Sequence, residues 1–159
     1  MNTKHFGRAR LLLALLVVVL AASAASVATE QRAQAWPVGT QGCTLGYWKN
    51  HTSAWVTYAP TDTIGATFNL TSAQTPYAGT TLLDGLKFQG GTDVLGGERI
   101  LFKQAIAGLL NSSAGLDYGA TPTQIINMTR NAILSGDRNR MVNLAHQFDI
   151  RNNVGCPLS

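Results

Sequence analysis

Side chains that carry chemistry are scarce in this chain. It has two cysteines and three histidines among 159 residues, and 13% of its residues are charged. Beyond the first ten residues the histidines are His51 and His146, and with Cys43 and Cys156 they form no recognisable ligand spacing. No metal site and no cofactor is therefore expected. The paired glycines Gly90-Gly91 and Gly96-Gly97 are followed by no Lys-Ser/Thr and preceded by no convincing strand. They read as a turn-rich connection and not as a phosphate cradle. Positive charge is short as well. Three of the twelve Lys and Arg stand at positions 4, 8 and 10, leaving nine against eight acidic residues. The nine are scattered, with Arg130, Arg138 and Arg140 closest to a cluster, so they read as solvated helix faces and no nucleic acid partner is expected.

What is present begins with an address. Lys4, Arg8 and Arg10 precede the apolar run Leu11 to Leu20, and small residues follow through Ala28. That is the order of a secretory signal over residues 1–28, with cleavage after Ala28 or, alternatively, after Ala35. An uncleaved anchor is the rival, since residues 11–28 are uncharged over the length a membrane helix needs. It would be the chain's one membrane contact. Export makes the protein secreted or envelope-associated, with a flexible segment at 29–42 and a single domain over 43–159. In an oxidising compartment the two cysteines, near the ends of that domain, read as one disulfide, Cys43 to Cys156.

Between the cysteines the pattern is helical. Thr121-Pro122-Thr123-Gln124 is a capping box with proline at the first helical position, and Ile125, Ile126, Met128, Ala132 and Ile133 give an apolar face until Ser135-Gly136. Asp137 caps the next helix, where Met141, Leu144, Ala145 and Phe148 recur at helical steps. So short a linker predicts an antiparallel helical hairpin. Upstream, Glu98 to Asn111 reads as a third helix, with Leu101, Ala105, Ile106, Leu109 and Leu110 inward and Arg99, Lys103 and Gln104 outward. Thr80 to Lys87 reads as a short helix capped by Thr80 or Thr81. Thr61 to Leu70 alternates Ile64, Ala66, Phe68 and Leu70, which favours a strand or extended segment. The fold class expected is mainly α, a small disulfide-closed helical domain with a C-terminal hairpin and an irregular middle.

The stretch Gly42 to Trp55 holds most of what could form a site. If Thr44 caps a helix reaching Trp55 or Tyr58, then Tyr47, His51, Trp55 and Tyr58 share one face, with Trp48 beside it. Such rings fill small cores. The same residues, with Lys49 and His51 supplying hydrogen bonds, would also make a platform for a sugar or surface polymer, so Tyr47, Trp48, Lys49, His51, Trp55 and Tyr58 are the candidate ligand-binding residues. Asn-x-Ser/Thr triplets stand at Asn50, Asn69, Asn111 and Asn127. Calcium at Asp137 to Asn139 or Asp149 to Asn153 lacks the loop spacing, and helix caps account for those residues.

The run Gly42-Cys43-Thr44-Leu45-Gly46-Tyr47-Trp48-Lys49-Asn50-His51 resembles the Cys-Thr-Pro-Gly-Tyr-Trp-Lys-Asn-His motif of a family of secreted and cell-surface proteins, chiefly bacterial. Leu45 replaces the usual proline. Leu109-Leu110-Asn111, Ala132 to Arg138, and Asn152-Asn153-Val154-Gly155-Cys156-Pro157-Leu158 are similar to the same family's closing segment. The resemblance implies an exported, disulfide-closed module, and, with no established reaction in the family, no catalytic residue to carry over.

Three functions are open at this point. The first is a structural or interaction module without catalysis, whose partner is an extracellular protein or polysaccharide. The second is carbohydrate or surface-polymer binding through Tyr47, Trp48, Trp55 and Tyr58. The third is a hydrolase using His51, Ser53 and Asp62, or Glu98 with Asp117. Helical placement would point His51 and Ser53 to different faces.

Overall fold

A computed structural model describes residues 37–158. The expected signal segment and both cleavage positions lie outside them. Six α-helices and one 3-10 turn are found among the described residues, with no strand: α1 (Leu45–Asn50), the 3-10 turn (Thr52–Ala54), α2 (Ile64–Phe68), α3 (Leu82–Gly85), α4 (Val94–Ser113), α5 (Pro122–Leu134) and α6 (Arg138–Asn152). A disulfide joins Cys43 to Cys156 across 113 positions of sequence. Closing a loop of that size stabilises by about 4 to 5 kcal/mol in the chain-entropy account.

The fold is organised around α4. Asp93 starts it, its Oδ1 accepting from the Gly96 amide at 2.7 Å. This start is four residues earlier than the sequence pattern indicated, and it takes Gly96 and Gly97 out of the loop and into the helix. Close packing explains them. A Cβ on Gly96 would stand 2.4 Å from the Gly91 backbone, and one on Gly97 would stand 2.9 Å from Arg138 Cγ. Leu101, Phe102, Ala105, Ile106, Ala107, Leu109 and Leu110 are all buried, which wraps apolar surface most of the way round the helix. A helix apolar on nearly every side belongs in the interior. Gln104, expected on the outer face, is also buried.

Helices α5 and α6 form as their signals indicate. The Thr121 side chain accepts from Gln124 N at 3.3 Å while Gln124 Oε1 accepts from Thr121 N at 2.9 Å, so each end of the capping box satisfies a free amide. Gly136 adopts a φ of 64°, which a side chain would resist, and Asp137 then caps α6 through Asn139 N at 2.8 Å. Helices α5 and α6 touch each other, but the most extensive packing of both is against α4, and the α4–α6 interface is the larger. The two helices thus pack against each other and, more extensively, on the central helix.

The middle departs most from the sequence pattern. Ile64 to Phe68 is helical, capped by Thr63 and ended by Asn69 in the left-handed region at φ 54°. Alternating Ile64, Ala66 and Phe68 serves a helix as well as a strand, because Ile64 and Phe68 also stand four apart. Both are fully buried and Ala66 is exposed. Backbone partners decide it: Ile64 N donates to Thr80 O at 2.9 Å and Gly65 N to Ala78 O at 2.8 Å, which satisfies first-turn amides that a helix leaves open. Thr81, one of the two caps expected, caps helix α3.

The segment expected to be flexible, 29–42, is held in its described part. Thr40 N and Oγ1 donate to Asp117 Oδ2 at 3.1 and 2.8 Å, and Gln41 N donates to Asp117 O at 3.0 Å. Gly42 pairs with Gly155 in an antiparallel bridge. Residues 37–42 therefore fall in the same compact unit as the helices.

Candidate functional site

The aromatic stretch folds differently from a continuous helix. Thr44 caps α1, but the helix ends at Asn50, where His51 takes φ −123° and ψ 57°. Asn50, His51, Thr52 and Ser53 are weak helix formers. A second cause lies in Trp55. Its Nε1 donates to the Trp48 carbonyl at 2.9 Å, the acceptor that a continuing helix would have offered to residue 52. The chain turns back so that Trp55 and Trp48 enter the interior together.

This splits the predicted ring face. Trp48 is 0% exposed and Trp55 is 9% exposed, so neither offers a ring face to an external ligand. Tyr47 and His51 remain neighbours four residues apart, their rings stacked at 4.3 Å and 14°. Tyr47 also meets Trp48 edge-on at 5.2 Å and donates through Oη to the Leu158 carbonyl at 3.1 Å. His51 is exposed, with Nδ1 2.9 Å from Tyr47 O, while Lys49 and Tyr58 are half-buried. Burial, and secondarily the Asp62 carboxylate, pushes the Tyr58 phenol above its ordinary pKa. The structure therefore brings Tyr47 and His51 together at the surface, and Trp48 and Trp55 together beneath it.

The residue that gathers this region is Asn111, which the sequence offered only as a glycosylation triplet and as part of a family-like Leu-Leu-Asn. It is fully buried on α4. Its Oδ1 accepts from Cys43 N at 2.7 Å and from Trp48 Nε1 at 3.0 Å; its Nδ2 donates to Cys43 O at 2.9 Å and to Asn152 Oδ1 at 3.1 Å. All four hydrogen bonds an amide side chain can make are formed. Asn152, equally buried, repeats the arrangement. Its Oδ1 also accepts from Tyr118 Oη at 2.9 Å, and its Nδ2 donates to Gln104 O at 3.1 Å and Gln104 Oε1 at 2.9 Å. Gln104 Nε2 then reaches Asp149 Oδ1 at 2.9 Å. Gly108 makes room for the Tyr118 ring, since a Cβ there would stand 2.5 Å from Tyr118 Oη. Burial pushes the Tyr118 phenol well above its ordinary pKa, so it stays protonated as a donor.

The three acidic residues considered for hydrolysis hold other groups. Asp62 Oδ2 accepts from Ala59 N at 2.8 Å in a turn, Asp117 holds Thr40, and Glu98 Oε2 accepts from Thr75 Oγ1 at 2.6 Å. Burial pushes the Glu98 carboxyl above its usual range, against the Thr75 hydrogen bond and the Arg99 charge that favour ionisation. Of the four glycosylation triplets, Asn50, Asn69 and Asn127 are exposed and Asn111 is not. Asp137 and Asp149 serve as helix-end acceptors.

No helix among the described residues is long and apolar enough to cross a membrane. The disulfide is compatible with an extracellular protein. In comparisons with known proteins the chain matches no family model, no curated protein and no solved structure.

Proposed function

We propose that this chain is a secreted or cell-surface interaction module that acts by presenting a fixed surface and not by catalysis. The observation that carries the reading is the use to which the aromatic motif is put. Trp48, Trp55, Cys43 and Asn111 bond to one another in the interior, so the most conspicuous side chains in the sequence serve to fix the chain ends. The resemblance of the Cys43 motif to exported proteins and the basic-apolar leader support the same reading. Its partner is an extracellular protein or a polysaccharide. The test is to express the full chain with a C-terminal epitope in a secreting host and fractionate the culture. Recovery of the oxidised protein outside the cytosol supports the reading, and retention of a reduced form in the cytosol overturns it.

The stacked Tyr47 and His51 rings favour one second reading, a small polysaccharide contact at the surface. Retention on insoluble polysaccharides that falls at least about tenfold in His51→Ala would support it. Retention that is absent, or unchanged in that variant, would dismiss it.

A further inference from the structure

The two sulfurs of the disulfide have different surroundings. Cys43 is 0% exposed, whereas Cys156 is half-buried and its neighbours Val154, Gly155, Pro157 and Leu158 are exposed. The flanking segments are also held differently. Around Cys43 the backbone is tied to the body of the fold: Gln41 N to Asp117 O at 3.0 Å, Cys43 N to Asn111 Oδ1 at 2.7 Å, and Cys43 O from Asn111 Nδ2 at 2.9 Å. Around Cys156 the tail meets residues 37–42, α1 and the end of α6: Gly155 O accepts from Gly42 N at 2.8 Å, Leu158 O from Tyr47 Oη at 3.1 Å, and Val154 N donates to Arg151 O at 3.5 Å.

We propose that the Cys43–Cys156 bond is a one-sided redox latch, opened by attack at Cys156, which frees residues 154–158 while 37–43 stay docked. The reductant is a small thiol. Its thiolate bonds to Cys156 Sγ as the sulfur–sulfur bond breaks, and the electron pair leaves on Cys43 Sγ, which takes a proton from solvent. A second thiolate attacks the sulfur of the first, giving the thiol's own disulfide and a Cys156 thiolate; two electrons pass from the thiols to the protein. Thiol exchange depends on which sulfur the attacker can reach, and of the two residues Cys43 is fully buried while Cys156 keeps part of its surface open. The docked inner thiol stays placed to re-form the bond, so the tail becomes a segment whose freedom reports the redox state outside the cell.

The experiment uses the oxidised full chain. It is exposed briefly to glutathione, quenched with acid, returned to native buffer with N-ethylmaleimide, and peptide-mapped. Glutathione on Cys156 at least about tenfold above that on Cys43, with Cys43 alkylated only after denaturation, is the expected result. Equal labelling, or an excess on Cys43, overturns it. Hydrogen exchange of the reduced protein supplies a second readout, because neighbouring amides report different partners. Gly42, bonded to the tail, should exchange at least about tenfold faster after reduction, while Gln41 and Cys43 keep their protection. Loss of protection at all three, or global unfolding, overturns the latch. The C43S/C156S variant repeats this readout without reductant, and failure of that variant to fold counts against the proposal.

Discussion

The two ends of α4 are held by different chemistry. At its C-terminal end, Asn111 and Asn152 join Cys43, α1 and α6 through neutral amides in a fully buried seam. At its N-terminal end the fastening is by charged guanidinium groups hydrogen-bonded to neutral acceptors, and it is partly open to water. Arg99 Nε and NH2 donate to Gln89 O and Gly90 O at 2.9 and 3.3 Å, Arg138 NH2 donates to Gly91 O at 3.0 Å, and Arg99 NH1 reaches Tyr77 Oη. Glu98 lies buried behind them with Thr75. Neutral amides are indifferent to pH and salt but intolerant of deletion, because each lost partner strands another buried group. The charged end tolerates deletion better and responds to pH.

The largest effect should come from the disulfide. Opening it in C43S/C156S should lower the unfolding free energy by about 4 to 5 kcal/mol, read from urea midpoints. A loss no greater than that of a surface substitution would mean that the amide seam closes the domain unaided. Next comes Asn111→Leu, which removes four hydrogen bonds and leaves Cys43 N and Trp48 Nε1 without their acceptor. A loss of about 3 kcal/mol is expected, constant across pH. At the opposite end, Gly96→Ala forces a Cβ against the Gly91 backbone and should lower stability by about 2 kcal/mol, through overpacking and not through charge.

The smallest effect is the one that most sharpens the contrast. Glu98 has its carboxyl raised in the folded state, so as pH climbs the unfolded chain gives up this proton first. Stability is therefore fullest below the ordinary glutamate range and declines as pH rises through the elevated value. Glu98→Gln should remove that decline, matching the parent protein in acid and exceeding it at neutral pH in urea titrations. Asp117 works in the opposite sense. Its hydrogen bonds from Thr40 lower its pKa, so its contribution is present above the ordinary aspartate range and fades as pH falls. Asp117→Asn should flatten the acid side alone. A pH slope that survives Glu98→Gln unchanged would break the comparison.

These two ends were unequally legible in the sequence. Caps and apolar periodicity located α5 and α6, because Thr121, Pro122, Asp137 and Gly136 act through local backbone chemistry that any reader of the chain can apply. The pairing of Cys43 with Cys156 followed from compartment and count. Asn111 and Asn152 were opaque for the opposite reason: a buried amide and a solvated one are the same letter, and only tertiary packing distinguishes them. Gln104 failed likewise, sitting at a position that periodicity called outward. Ile64 and Phe68 satisfied two periods at once over too short a run to choose between them, and the choice came from carbonyls of Ala78 and Thr80 supplied by another segment. Trp55 shortened α1 by taking the Trp48 carbonyl, a side-chain competition that no helical spacing encodes.

The buried seam also sets an order of assembly. It draws on residues 43, 48, 104, 111, 118 and 152, so its final acceptor, Asn152, is available only once the last turn of α6 has been made. Contacts this distant along the chain form slowly. During synthesis the early part of the domain therefore waits with Trp48 uncovered until α6 arrives to close over it.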